Sequence, residues 1–402
     1  MTSYTTLIIL CGLVILSYLF DIIAGKTKIP SVILLIFLGI GIQYTVEYFD
    51  LPTFNFAAML PTLGTLGLIL IVFEGALELK YSADKNDVIK KSLLSALIVL
   101  LASTATITAI IYFISKQDVY LCFINAIPFC VVSSSIAIPA AANINKQKRE
   151  FIIYESSFSD ILTVILFNFM IHNKHISFIS FTKLGVELGV ILLLSVGACL
   201  LLLYLIGRLT HHIKSFLIIS LLILVYSVGQ LYHLSSLVIV LALGLFLNNA
   251  NQIKIPAFQK LFIYPKLESD IKQLFQISAE SAFIMRTFFF IIFGLTMDIN
   301  QLQNWSLLAN GGIILLAIYI VRFTYIKATK TELMPELVLI PRGLISVLLY
   351  YNLPPELKIP GVETGLLFVV VLGTSIIMSL GLLITKKQTP ESYSELGDTL
   401  NH

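Results

Sequence analysis

Residues 154–170 read YESSFSDILTVILFNFM. Two carboxylates and three serines, Glu155, Ser156, Ser157, Ser159 and Asp160, open a run that is otherwise largely apolar. What those carboxylates do depends on what surrounds them. The chain has 402 residues, 57% hydrophobic and 12% charged, with a mean hydropathy of +0.94, whereas soluble domains carry about 25% charge. Apolar runs of about 20 residues recur along its length, the size of a membrane-crossing helix, and they lack the alternation of an outer-membrane barrel. The sequence therefore reads as an all-α integral membrane protein, a multi-pass helical bundle of an inner (plasma) membrane.

Hydropathy, punctuated by Pro, Gly and charge, predicts thirteen spans near 5–24, 30–46, 60–79, 91–114, 119–142, 149–170, 184–206, 215–231, 234–249, 276–297, 307–326, 334–351 and 363–385. Residues 250–275 form a long amphipathic connection expected on the membrane surface. The first run, TTLIILCGLVILSYLF, has neither a basic n-region nor a small-residue cleavage site, so it is read as a retained helix. Residues 1–385 then form a single membrane domain and 386–402 a short cytoplasmic tail. Distributing the 26 Lys and Arg over this layout puts 19 on one side. Four (Lys116, Lys174, Lys183, Lys358) fall on the other, and three (Arg286, Arg322, Arg342) fall inside spans. Cytoplasmic loops are the basic ones, so the N-terminus is expected outside and the C-terminus in the cytoplasm. Cys11, Cys122, Cys130 and Cys199 sit in apolar runs without metal-like spacing, which argues against a disulfide framework or a zinc site.

A charge near the bilayer centre costs roughly 2.5 to 3.5 kcal/mol on insertion scales, so the ionisable residues inside spans are the functional candidates. Span six enters from the cytoplasm near Arg149, which puts Asp160 about 15 Å deep, at the midplane. Glu155 is shallower, and a five-residue offset turns a helix by about 140° net, so the two carboxylates share neither face nor depth. Arg322 in span eleven lies level with Glu155, and an ion pair between them would neutralise both. Span five, YLCFINAIPFCVVSSSIAIPAA, carries Pro128, Ser133, Ser134, Ser135 and Pro139 about its centre. Proline removes backbone donors and serine competes for backbone groups, so a broken helix lining a polar cavity is expected there. Span twelve is interrupted similarly at Pro341, Arg342 and Gly343. Two interrupted helices in inverted halves point to a midplane site of a secondary transporter. Other polar residues have plainer readings. Helix-packing serines are the alternative for Ser133–Ser135, and Arg286 is read as structural, paired with Glu280 or snorkelling. Glu74 and Glu78 suit a solvated cytoplasmic vestibule, and Glu187 a solvated outer end.

With these residues in view, Glu155-Ser-Ser-Phe-Ser-Asp160 resembles the ESxxND signature of the sodium/proton exchanger (NhaP-like) branch of the monovalent cation:proton antiporter superfamily. FEGALEL at 73–79, RTFFFIIFGL at 286–295, the Arg322 segment, PRGLISVLL at 341–349 and the thirteen-span layout extend the similarity over the whole membrane domain. The resemblance implies that Asp160 binds cation and proton, with Ser156, Ser159, Ser133 and Ser134 as the surrounding oxygen ligands. It also implies a structural Glu155–Arg322 pair and places Arg342 as charge compensation at the break in span twelve. A homodimer is implied too, with a mobile core (about 91–170 and 307–385) and a dimerisation part (about 5–79 and 184–297). The chain departs from the family pattern at Ser159, where Asn is usual, and at Ser133-Ser134, where Thr-Asp is usual. Serine does not titrate, so charge counting gives one proton per cation.

The function expected is therefore Na+ (or Li+) exchange for H+, electroneutral, by alternating access with competition for Asp160. The alternative is a K+/H+ antiporter of the same fold. The partners are these ions, the lipid bilayer and a second copy of the chain; no cofactor and no nucleic acid are expected. An intramembrane enzyme is disfavoured, since there is no GxGD and all six histidines fall at span ends, loops or the tail. A channel is disfavoured by the lack of a filter-like repeat.

Overall fold

The computed structural model describes residues 3–27, 29–49, 59–79, 85–141, 144–174, 178–208, 214–231, 236–297, 301 and 303–384. The tail 386–402 lies outside them. All regular structure among the described residues is helical. In chain order the helices are α1 (Ser3–Thr27), α2 (Ser31–Tyr48), α3 (Leu60–Glu78), α4 (Asn86–Ser115), α5 (Val119–Ala126), α6 (Ser134–Ala140), α7 (Lys146–His172) and α8 (Phe178–Arg208). There follow α9 (Lys214–Leu231), α10 (Ser236–Asn249), α11 (Pro256–Phe262), α12 (Leu267–Leu295), α13 (Trp305–Thr329), α14 (Leu344–Tyr351) and α15 (Thr364–Ile384). Eight segments of the described residues are long and apolar enough to cross a membrane, with α5 and α6 together forming one of them, and α1, α9 and α10 add shorter apolar stretches.

Local chemistry explains where several helices begin and end. Asn145 accepts from Gln147 N at 3.0 Å and Asn304 from Ser306 N at 3.1 Å, capping α7 and α13. Pro61 and Pro256 occupy the first turns of α3 and α11, where a missing N–H costs nothing. Lys116 and Lys330 take left-handed conformations, φ 53° and 55°, and close α4 and α13.

The outward faces are apolar, unlike those of a soluble bundle. On α4, Leu93, Leu94, Leu97 and Leu101 are exposed while Ser92, Ser95, Ser103 and Thr104 are buried. That arrangement suits a hydrocarbon surround, in which polar groups must find partners inside the protein. Packing falls into two neighbourhoods: α12 lies against α2 and α3, with α10 on α3 and α8, whereas α4 lies against α7, α5 and α13, with α13 on α15 and α6 on α7. Helices α2 and α12 cross at paired glycines. A Cβ on Gly39 would come within 2.1 Å of Ile291 O, and one on Gly294 within 2.3 Å of Ile36 O.

Two elements differ from the sequence reading. The expected surface connection 250–275 is a short turn and α11 only as far as Phe262, and α12 begins already at Leu267. Leu267, Ile271 and Leu274 recur at helical spacing and are buried, which carries the helix back past the expected start at 276. Span twelve, expected over 334–351, is helical only from Leu344. Pro335 and Pro341 each remove a donor, and the chain from 331 to 343 runs as turns and extended backbone.

Candidate functional site

The two interrupted stretches meet in the interior. After α5 the chain makes one tight turn through Pro128, runs extended over 131–133 and re-enters helix at Ser134. Ser133 N donates to Pro341 O at 2.9 Å, which joins the extended piece to the loop before α14. Gly343 is required at this crossing, because a Cβ there would sit 2.6 Å from Ser133 Oγ. Arg342, wholly buried, donates from Nε to Phe129 O and from Nη1 to Ile340 O, both at 2.8 Å, and its backbone N donates to Thr374 Oγ1 at 3.0 Å. Those carbonyls lack helical partners because the chain leaves helical geometry around them, and the guanidinium supplies the missing donors. Its Nη2 has no hydrogen-bond partner among the described residues.

Helix α7 runs beside this crossing with both carboxylates buried. Glu155 is held from two helices. Arg322 Nη1, on α13, donates to Oε1, Nη2 donates to Oε2 at 2.8 Å, and Ser95 Oγ, on α4, also donates to Oε1. Arg322 Nε donates to Glu336 O at 3.0 Å, tying the pair to the segment before α14. A bidentate guanidinium–carboxylate pair in which all three guanidinium nitrogens donate is how two such charges persist away from water. Near the start of α7, Lys148 pairs with Glu332, holding that carboxyl below its ordinary range, and donates to Met334 O at 3.0 Å.

Asp160 has a different setting. Oδ2 accepts from Ser134 Oγ at 2.5 Å and from Ser134 N at 3.3 Å, while the buried Oδ1 has no partner among the described residues. The other expected oxygen ligands are gathered nearby on the two elements but spend their hydroxyls on backbone or on each other. Ser159 Oγ accepts from Val132 N at 2.9 Å and fixes the extended piece to α7. Ser156 Oγ turns back to Ile152 O at 2.8 Å, and Ser133 Oγ meets Ser135 Oγ at 2.8 Å. A cavity of about 560 Å³ follows the same turns of α7 on an adjacent face, between Tyr154, Ser157, Phe158 and Ile161 and, on α10, Leu241, Leu245 and Asn249. It shares Leu79 and Tyr154 with a smaller recess lined by Lys85, Lys146, Arg149 and Glu150, so the two are neighbours at the basic end of the bundle. Glu74, on α3, is half-buried and lines neither.

Sequence reading did not reach three contacts. Ser95 was legible as part of a stripe of small polar residues at helical spacing along α4, but nothing in that stripe names its partner. Asn125 donates to Leu357 O at 2.7 Å and accepts from Ile359 N at 3.4 Å, tying α5 to the segment after α14. Arg286 donates not to Glu280 but to Ser135 O, at 3.0 Å.

A bundle of apolar helices in which two interrupted segments cross beside one partly satisfied, buried carboxylate has the build of a secondary transporter. Comparison with known proteins gives the class its family. The family model described as "Sodium/hydrogen exchanger, transmembrane" matches residues 11–386, and the chain belongs to that family. The fold is similar to the sodium proton antiporter MjNhaP1 from Methanocaldococcus jannaschii at pH 8, with a TM-score of 0.72, 19% identity, and coverage of 94% of this chain and 100% of that one. An electron-microscopy structure of the same antiporter gives a TM-score of 0.70 at 19% identity, covering 95% of each chain. No curated protein matches the sequence. As a member of this family the protein is a multi-pass membrane transporter of the cation/proton antiport class, and not an enzyme.

Proposed function

We propose that the protein exchanges Na+ for H+ one for one across the plasma membrane, with both ions competing for Asp160. The observation that carries this reading is the state of that carboxylate: one oxygen is held by Ser134, and the other is buried with no partner among the described residues. Nearly every buried polar atom has a partner, so a carboxylate oxygen left open in a protein interior is a position for a proton or a cation. Hard oxygen donors suit an alkali ion. Ser134 Oγ is the hydroxyl that stands next to the carboxylate, while Ser133, Ser156 and Ser159 set the backbone around it. Neither Ser134 nor Ser159 titrates, so a single carboxylate exchanges a single charge and the cycle moves none across the membrane. Arg342 compensates the open backbone at the crossing, and Glu74, half-buried on α3, is the candidate for a cytoplasmic vestibule.

The thirteen-span arrangement, with the N-terminus outside, is supported by the uneven split of Lys and Arg. The two packing neighbourhoods support a core of α4–α7 and α13–α15 moving against a part made of α1–α3 and α8–α12, which in the proposed homodimer meets its copy. An unneutralised Asp160 cannot be carried past apolar surface without the cost given above, so only the cation-loaded or protonated core crosses. The test is Asp160→Asn in everted vesicles. Loss of Na+-induced dissipation of a pH gradient is expected, and dissipation at the wild-type rate contradicts the proposal. Running K+ and Li+ beside Na+ decides which alkali ion is carried.

A further inference from the structure

Arg286 lies on α12, the helix that packs against α2 and α3, yet its Nη1 donates across to Ser135 O at 3.0 Å. The sequence explains why that carbonyl is available. In a continuing α6 it would accept from the N–H of residue 139, and Pro139 has none. The freed carbonyl belongs to the residue next to Ser134, whose N and Oγ hold Asp160. Ser135 Oγ also meets Ser133 Oγ, and Ser133 N is bonded to Pro341 O. A half-buried guanidinium on α12 is thus fastened to the crossing segment one residue from the donor of the carboxylate. Its other contact, the Phe283 ring with its centroid 6.0 Å from Cζ, lies within its own helix.

We propose that Arg286 is a positioning residue that latches the crossing segment to the α2–α3–α12 scaffold, and that this bond breaks and re-forms in every transport cycle. The inference rests on the reading above, in which the core moves against that scaffold. A bond between a moving and a fixed body stabilises only the state in which it is made. In the conformation described, the cavity along α7 lies beside the basic recess of Lys85, Lys146 and Arg149, the end proposed above as cytoplasmic, so the latch is assigned to the cytoplasm-facing state.

The test is the apparent KM for Na+ measured from each face of oriented proteoliposomes. Arg286→Gln should raise KM at the cytoplasmic face and lower it at the opposite face, moving their ratio by about tenfold or more, the weight of one charge-assisted hydrogen bond. Arg286→Lys, which keeps a donor, should move it less. Pro139→Ala gives Ser135 O an N–H inside α6 and should shift the ratio in the same direction with Arg286 intact. A purely structural role would lower yield or Vmax and leave the ratio unchanged, and that result overturns the latch. If Arg286→Gln gives no folded protein, the ratio in Pro139→Ala decides by the same criterion. Asp160→Asn, run in parallel, separates the two ideas. Exchange that survives there removes the transport reading itself, whereas loss there with an unchanged ratio in the Arg286 and Pro139 variants removes only the latch.

Discussion

Five residues of α7 separate a carboxylate whose bonds are complete from one whose bonds are not. Glu155 receives Arg322 through both terminal nitrogens and Ser95 besides, while Asp160, among the described residues, receives Ser134 alone. Removing one partner of a buried pair leaves an uncompensated charge, which costs about 3–5 kcal/mol. Glu155→Ala should therefore cut folded yield and lower the melting temperature more than it changes the KM for Na+, as solubilised-protein thermal shift and vesicle assays can show together. The opposite pattern would make Glu155 a ligand of the ion. Ser134→Ala removes the hydroxyl beside Asp160 but only a modest part of the packing. It should weaken apparent Na+ affinity by about tenfold, the worth of a hydrogen-bonding oxygen at a charged group, with folded yield near that of the parent.

At the scale of elements, the interrupted segments and the close helix crossings make separate demands. Gly39 and Gly294 let α2 and α12 approach until each backbone nearly touches the other. Gly39→Ala should cost about 1–3 kcal/mol, the usual penalty of overpacking. Gly12→Ala, where a Cβ meets nothing within 4 Å, should be neutral in the same thermal-shift assay. What was legible in the sequence at this scale was punctuation: Pro128, Pro139 and Pro341 mark stretches where helical bonding has to fail. What was not legible was the outcome of that failure. The loop before α14 reaches back to residue 331 because its carbonyls find donors that helical bonding does not supply: Glu336 O in Arg322, on α13, and Ile340 O in Arg342, within the loop itself. Depth counting set Arg322 level with Glu155, and the structure joins them. No count of that kind set Arg286 beside Ser135, because the pairing depends on a carbonyl that only a proline four residues away makes available. The early start of α12 escaped for a simpler reason: Lys266, Glu268, Asp270 and Lys272 mask the buried positions Leu267, Ile271 and Leu274 between them.

At the scale of the whole molecule, the account is a membrane antiporter whose charges are arranged by side and by depth. Single cysteines make the proposed orientation measurable. In a Cys11→Ser background, Lys358→Cys should react with an impermeant maleimide from outside intact cells, and Lys146→Cys only in everted vesicles; the reverse pattern would invert the topology. The apolar exterior was foreseeable from hydropathy and from where polar residues fall, since hydrocarbon leaves polar groups no partners but each other. The division of labour among the serines was not, because each hydroxyl answers to a backbone group that the break exposes. The central claim is that a single carboxylate, Asp160, holds either the proton or the cation. The most direct measurement is proton release on adding Na+ to the solubilised protein in weakly buffered solution, counted against Na+ bound at saturation. The account predicts about one proton per cation at pH values where Asp160 starts protonated, and none in Asp160→Asn. Proton release of the same size from Asp160→Asn would contradict it.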